Sequence, residues 1–198
     1  MPKYIVALTG ASGMIYAIRL LEELLKKDAE IHLIASDAAR IVIEQELAWD
    51  CQGSLAAAMQ QYLPPGMIYY YDNTDIAAPP ASGSFICDSM VVIPCTMASI
   101  SAIAQGSSRS LLERAADVML KERRPLLLVP RETPLNSIHL RNMLTLSEMG
   151  VSIIPAMPAF YHQPQTIEDM VSFMVGKVLD AMHIPHDLFQ RYGGKAER

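Results

Sequence analysis

The sequence is poor in cysteine, poor in charge, and without an apolar run long enough to span a bilayer. Its three cysteines, Cys51, Cys87 and Cys95, are odd in number and form no C-x-x-C pair, which excludes a disulfide framework and a zinc site of that kind. A reducing, cytoplasmic setting fits this usage. Charged residues make up only 19% of the 198, with 16 Lys+Arg against 21 Asp+Glu and a formal charge of -5. The molecule as a whole therefore attracts neither nucleic acid nor an anionic membrane, and any anion site has to be local. The longest apolar stretch, 90 to 104, is broken by Pro94, Thr96, Ser99 and Ser101 and falls short of the roughly 20 residues a spanning helix needs. The apolar run at the N-terminus is too short for a secretory signal and leads directly into a glycine loop. There is no internal repeat and no D-D-x-x-D cluster of the kind that holds magnesium diphosphate. His32, His139, His162, His183 and His186 lack ligand-like neighbours, so no metal is expected.

What is present is apolar. A hydrophobic content of 51% at this length predicts one domain with a full core, and the 13 methionines read as adaptable core and subunit packing. Runs rich in Val, Ile and Leu at 4–8, 31–35, 90–94, 126–129 and 151–154 lack the alternation of half-exposed strands and read as buried parallel strands. Helical patterns cover 14–27, 37–48, 108–123, 137–149 and 166–182. The first carries Ile15, Ile18, Leu21 and Leu25 on one face and the pairs Glu22–Lys26 and Glu23–Lys27 on another. Strand and helix alternate five times, which predicts an α/β fold: a doubly wound parallel sheet, a Rossmann or flavodoxin-like three-layer sandwich with right-handed crossovers. The stretch 64–84, with Pro64-Pro65-Gly66, Pro79-Pro80 and Ser82-Gly83-Ser84, interrupts the alternation as either a long functional loop or an extra hairpin. Residues 183–198 form a C-terminal tail expected to pack on the body or on a neighbouring subunit.

In an open parallel sheet the ligand crevice lies beyond the carboxyl ends of the strands. Those ends bring together Thr9-Gly10-Ala11-Ser12-Gly13, Ser36, Cys95-Thr96-Met97-Ala98-Ser99, Arg131-Glu132 and, after the last run, Tyr161. Glycines let backbone approach an anion, and the helix after the first loop offers free N–H groups and a positive dipole end. Such a mouth suits a phosphorylated aromatic cofactor, with Arg131 for a charged or carbonyl edge. Ser36 and Ser99 read equally well as helix caps. Arg114 and Lys121, two turns apart on one helix, line either a second anion pocket with Arg131 and Lys177 or a solvated basic face. The first loop also resembles a short-chain dehydrogenase fingerprint, but Tyr16 stands in place of the third glycine and no tyrosine has a lysine four residues later.

Five segments carry a wider resemblance. They are the loop Thr9–Gly13, Pro79-Pro80-Ala81-Ser82-Gly83-Ser84, Glu113-Arg114-Ala115-Ala116-Asp117-Val118 through Lys121-Glu122-Arg123-Arg124-Pro125-Leu126, Val129-Pro130-Arg131-Glu132-Thr133-Pro134, and Pro158-Ala159-Phe160-Tyr161-His162-Gln163-Pro164. In that order they resemble the UbiX family of flavin prenyltransferases, a family earlier labelled decarboxylases, over nearly the whole chain. The resemblance implies metal-independent transfer of a dimethylallyl group from dimethylallyl monophosphate to N5 and then C6 of reduced FMN. The prenylated flavin would serve a partner decarboxylase of the UbiD type, and the family assembles as a homo-dodecamer with sites between subunits. Carried over by motif, Gly10, Ala11, Ser12, Ser36, Thr96, Met97, Ala98, Ser99 and Arg131 hold FMN, while Arg114, Lys121, Tyr161 and Lys177 surround the prenyl phosphate. By the same resemblance Ser12 and Glu46 would relay protons near N5, and Glu132 would assist proton removal from C6. The chain departs from relatives at Tyr192, where some have a tail tryptophan covering the prenyl pocket, and at Met14 after the glycine loop. Two other readings stand beside this one: an FMN-dependent decarboxylase of the phosphopantothenoylcysteine type, and a flavin carrier without catalysis.

Overall fold

The runs 3–8 and 89–95 are apolar on both faces, and such strands are stable only between two helical layers. The computed structural model, which describes residues 1–51 and 53–192, places them at the centre of a six-stranded sheet. The strands are β1 (Lys3–Leu8), β2 (Glu30–Ala35), β3 (Ile68–Asp72), β4 (Ser89–Cys95), β5 (Leu126–Pro130) and β6 (Ser152–Ile153). The helices are α1 (Met14–Leu25), α2 (Asp37–Leu47), α3 (Leu55–Tyr62), α4 (Met97–Ala104), α5 (Leu111–Lys121), α6 (Ser137–Glu148) and α7 (Ile167–Ala181). All strand pairings are parallel, in the order β3-β2-β1-β4-β5-β6. Alternate residues face opposite layers. Val6, Leu8, Leu33, Val91 and Val129 pack beneath α1, α2, α3 and α7, whereas Ile5, Ala7, Ile34, Val92 and Leu128 pack beneath α4, α5 and α6.

The doubly wound class expected from the sequence is the one observed, but three elements and a 3-10 turn are additional. The stretch 64–84 is neither a bare loop nor a hairpin: it supplies β3, a parallel edge strand, and a short 3-10 turn at Pro79–Ala81. Its Ile-Tyr-Tyr-Tyr-Asp sequence is only half covered, so it lacks the aliphatic signature of a central strand. Helix α3 is carried by alanines, and α4 is hidden in the continuous apolar run 90–104. The last strand shrinks to two residues, and α5 starts at Leu111, after Ser110 caps it, rather than at 108. In α1 the buried face is Met14, Ala17, Leu20, Leu21 and Leu24, while Ile15 is exposed. The expected Glu22–Lys26 and Glu23–Lys27 pairs give way to Lys26–Glu23 at 2.7 Å and to Arg19 contacts with Glu22 and Glu23. Glu23 lies close enough to the core that pairing with two cations is the better solution. Of the expected tail, 184–192 folds back along α7; the expectation for residues 193–198 lies outside the described residues.

The order of strands creates a divergence between β1 and β4. Their ladder ends at Ala7 and Val92, and the β4–β5 register shifts between Val92 and Cys95. Beyond that point the Thr9 hydroxyl, 2% exposed, takes over. It donates to the Pro94 carbonyl at 2.7 Å and accepts the Thr96 N–H at 2.9 Å. Replacing Thr9 by Val keeps the shape and leaves both backbone groups unpaired. The expected loss is about 1–3 kcal/mol of unfolding free energy, with Thr9→Ser close to wild type. Urea unfolding measures it, and an unchanged midpoint in Thr9→Val would reject the bridge.

Candidate active site

Chains leaving β1 cross to β2 on one side and chains leaving β4 cross to β5 on the other, so their loops separate and open a crevice at the carboxyl edge. Gly10 sits where the first loop meets α2. A Cβ there would stand 2.5 Å from the Ala38 Cβ and 3.2 Å from its carbonyl carbon, so a side chain would push the turn away. Gly13 has φ +108°, a left-handed conformation that reverses the chain into α1. Ser36 caps α2, accepting the Ala39 N–H at 3.2 Å. Thr96 caps α4, accepting the Ser99 N–H at 3.1 Å, and its hydroxyl meets that of Ser99 at 3.0 Å. Ser36 is thus a cap, while Ser99 is the partner of one. The remaining first-turn N–H groups of α2 and α4 have no intrahelical acceptor and face the same mouth.

The positive end of α1 is a different case. Helix α2 runs alongside the first loop, Ala38 touching Gly10 and Glu46, two turns further on, reaching Gly13. The Glu46 carboxylate accepts the Gly13 N–H at 2.9 and 3.1 Å and the Met14 N–H at 2.9 Å. A phosphate was the anion expected at these amides; the structure seats Glu46 there instead, because the helix end attracts negative charge and α2 supplies it internally. Burial raises the pKa of Glu46. Hydrogen bonds from the Ser12 hydroxyl and from the Gly13 and Met14 amides, with the charge of Arg131, outweigh it and hold the carboxyl below its ordinary range.

Arg131, just past β5, directs its Nε at the Ser12 carbonyl, 3.4 Å away. It borders a cavity of about 260 Å³ lined by Met97, Met143, Met157, Pro130 and Pro155, with Glu132 at its edge accepting the Thr133 N–H at 3.0 Å. The structure therefore gathers Gly10, Ala11, Ser12, Ser36, Glu46, Thr96 to Ser99, Arg131 and Glu132 along one edge of the sheet.

It does not gather the four residues expected around the prenyl phosphate, and of the second anion pocket only Arg131 lies on that edge. Arg114 and Lys121 are on α5, where the Arg114 Nε donates to the Ala81 carbonyl at 3.1 Å, its Nη1 pairs with Asp117 at 2.7 Å, and Lys121 pairs with Glu122. Lys177 is on α7, and Tyr161 precedes it against Phe173 and Tyr192. These two helices cover opposite faces, since α5 belongs to the β4–β5 crossover and α7 returns onto the other layer. One copy cannot bring them together.

Sequence reasoning passed over two features. Thr9 was legible only as a hydroxyl ahead of the first glycine. Arg124, which donates to the Phe85 and Gly83 carbonyls at 2.7 Å each, holds the 83–85 segment on the end of α5, and only its neighbourhood of basic residues hinted at it. The thiols are not candidates for chemistry: all three cysteines are free and buried, and burial pushes Cys87 up to about 11 and raises Cys95 as well. Among the described residues no cluster of three His, Cys, Asp or Glu side chains could hold a metal ion, and no helix is long and apolar enough to cross a membrane.

A switch-point crevice with helix N-termini and hydroxyls for a phosphate, beside a methionine-lined cavity with one cation, defines a nucleotide-cofactor-binding protein of the doubly wound class. The donor set fits FMN: a phosphate at the α2 and α4 termini and a flat ring against the cavity. Comparison with known proteins narrows the class. The family model described as Flavoprotein matches residues 1–179. The flavin prenyltransferase UbiX of Alkalihalophilus pseudofirmus is 49% identical over 189 residues, 95% of this chain and 94% of that protein. The crystal structure of AnUbiX (PadA1) in complex with FMN and dimethylallyl pyrophosphate superposes with a TM-score of 0.90 at 40% identity, covering 98% of each chain. The dodecameric FMN-dependent UbiX-like decarboxylase from Escherichia coli O157:H7 gives 0.88 at 42% identity, over 97% of this chain and 100% of that one. The chain belongs to the flavoprotein family and, within it, to the UbiX flavin prenyltransferases.

The lowered pKa of Glu46 has a measurable sign. Its contribution to stability is full above the ordinary glutamate value of about 4.3 and is lost as pH falls through the lower folded-state value. Glu46→Gln should therefore be less stable than wild type at neutral pH, with the gap closing on acidification. Chemical denaturation of both between about pH 7 and pH 3 reads it, and a gap independent of pH would reject the assignment.

Proposed function

We propose that this chain transfers the dimethylallyl group of dimethylallyl monophosphate to N5 and then C6 of reduced FMN, releasing phosphate and giving prenylated FMN for a UbiD-type decarboxylase. Reduced FMN is the acceptor substrate and supplies the nucleophilic nitrogen and carbon. The observation that carries this reading is the Ser12–Glu46 pair at the head of α1: an ionised carboxylate, held by two amides and a hydroxyl, beside Arg131 at the flavin crevice. Such a carboxylate accepts a proton through Ser12 instead of donating one. Gly10, Ala11, Ser12, Ser36 and Thr96 to Ser99 would seat the phosphate and ribityl chain, and Arg131 the ring edge. Glu132, exposed at the edge of the cavity, is placed to take the second proton.

Breaking the allylic C–O bond leaves the electron pair on phosphate. Arg114, Lys121 and Lys177 stabilise that charge in place of a metal, while Tyr161 offers a π face to the allyl cation. Because α5 and α7 lie on opposite layers, the donor pocket needs α5 of one copy to meet α7 of another. A homo-dodecamer supplies such a junction, and the dodecameric assembly of the Escherichia coli relative supports it. The complex of AnUbiX with dimethylallyl pyrophosphate supports the prenyl class of donor. We place the protein in the cytoplasm, which suits its free thiols. Decarboxylases of the phosphopantothenoylcysteine type share the broad fold but look to an asparagine-containing motif after the third strand, and Thr96-Met97-Ala98-Ser99 carries no asparagine.

Anaerobic incubation with reduced FMN and dimethylallyl monophosphate, followed by mass spectrometry of the flavin, should show the gain of one prenyl group; an unaltered flavin would reject the assignment. Lys121→Ala should retain FMN but raise KM for the donor about ten- to a hundredfold, the cost of one charged hydrogen bond. A flavin carrier would be indifferent to that substitution. Glu132→Gln should bind both substrates and stall before ring closure, and undiminished turnover would remove Glu132 from its role.

A further inference from the structure

The first loop keeps two glycines of a dinucleotide fingerprint, Gly10 and Gly13, and loses the third to Tyr16. In doubly wound folds that bind dinucleotides, the two linked phosphates rest on this loop at the head of the first helix. Here that place is filled from inside the chain. Helix α1 has no capping side chain of its own and no acid in its first turn, whereas every other described α-helix carries a hydroxyl or amide cap. The Gly13 and Met14 amides go instead to Glu46, reaching across from α2 at 2.9 to 3.1 Å. Tyr16 closes the other side. Its N–H donates to the Gly13 carbonyl at 3.0 Å, and a Cβ on Gly13 would meet two carbons of its ring at 2.9 and 3.1 Å. The ring is partly buried against the core, and burial, with the charge of Glu46 beside it, raises the phenol pKa. Carboxylate, loop and ring are packed as one plug.

FAD carries the same ring, ribityl chain and first phosphate as FMN and differs by an adenylate joined through that phosphate. Contacts to the ring therefore cannot tell the two apart; only the path beyond the first phosphate can. The capped termini of α2 and α4 suit a single phosphate. A second phosphate directed to the head of α1 would meet a carboxylate already bonded to both amides, and would gain a like charge there in place of donors. We propose that Glu46 and Tyr16 are specificity-determining residues that restrict the crevice to a flavin mononucleotide, by sealing the head of α1 against the diphosphate of FAD. The seal also explains a loop that looks like a dehydrogenase fingerprint without its third glycine: the turn is kept and the diphosphate seat is closed. The inference goes beyond the prenyltransferase reading, since it concerns which flavin is held and not what is done to it.

The test is a competition on the full-length protein, dialysed to equilibrium against equal concentrations of FMN and FAD, with the bound flavins released and quantified by chromatography. Separate titrations give Kd for each. Wild type should hold FMN over FAD by about a hundredfold. Glu46→Ala should raise the bound FAD-to-FMN ratio about tenfold, through tighter FAD binding and with Kd for FMN within about threefold of wild type. Glu46→Gln keeps the length of the side chain and drops its charge; it should move the ratio the same way by less, and it carries the test if alanine unfolds the protein. Tyr16→Ala, which frees Glu46 to swing off the amides, should raise the ratio as well. An unchanged ratio in the Glu46 variants would overturn the proposal. So would a ratio that rises only because FMN is lost, or a wild type that takes FAD as readily as FMN. A protein that selects FMN but leaves it unprenylated would sink the prenyltransferase reading and uphold this one.

Discussion

The hydroxyl of Thr9 closes the gap on which the active edge depends. A doubly wound sheet has one place where neighbouring strands send their chains in opposite directions, and at that place the backbone ladder must stop. Here β1 and β4 part after Ala7 and Val92, and a single buried side chain satisfies the two groups left over, the Pro94 carbonyl and the Thr96 N–H. The bridge fixes the first loop relative to the start of α4, and so fixes the two walls of the crevice relative to each other. Gly10 then lets α2 approach the loop, and α2 carries Glu46 to the head of α1. Each step is local, and each needs the previous one.

Much of the architecture was legible because central strands and buried helical faces leave strong apolar patterns. The elements that escaped are those whose burial is partial or whose pattern is ambiguous. Strand β3 is an aromatic edge strand, α3 is short and rich in alanine, and α4 shares an unbroken apolar run with β4, where period cannot separate strand from helix. The rim residues were legible for a topological reason, since carboxyl ends of parallel strands must share an edge. Arg114, Lys121, Tyr161 and Lys177 were not legible as separate groups, because one-dimensional spacing does not tell which layer a helix joins. The opposing layers of α5 and α7 came only from the alternation of side chains through the sheet.

That separation bears on how the chemistry is organised. The residues proposed for the flavin lie along one edge of a single chain, whereas the cations proposed for the prenyl phosphate are divided between its two layers. Under that proposal, binding the acceptor draws on the fold and binding the donor on the assembly. The apolar surfaces that remain uncovered on α6, including Ile138, Leu140 and Leu144, are consistent with a chain that is not the working unit by itself.

Glu46 at the head of α1 has a consequence for selectivity among anions. A reaction that ends in free orthophosphate runs in the presence of its own competitor, and every vacant amide cradle near the flavin is a place for that competitor to lodge. By filling the amides at the head of α1 with a tethered carboxylate, the chain removes that cradle from competition. The head of α1 is thereby closed to a free anion by the architecture itself, before any contact with substrate begins.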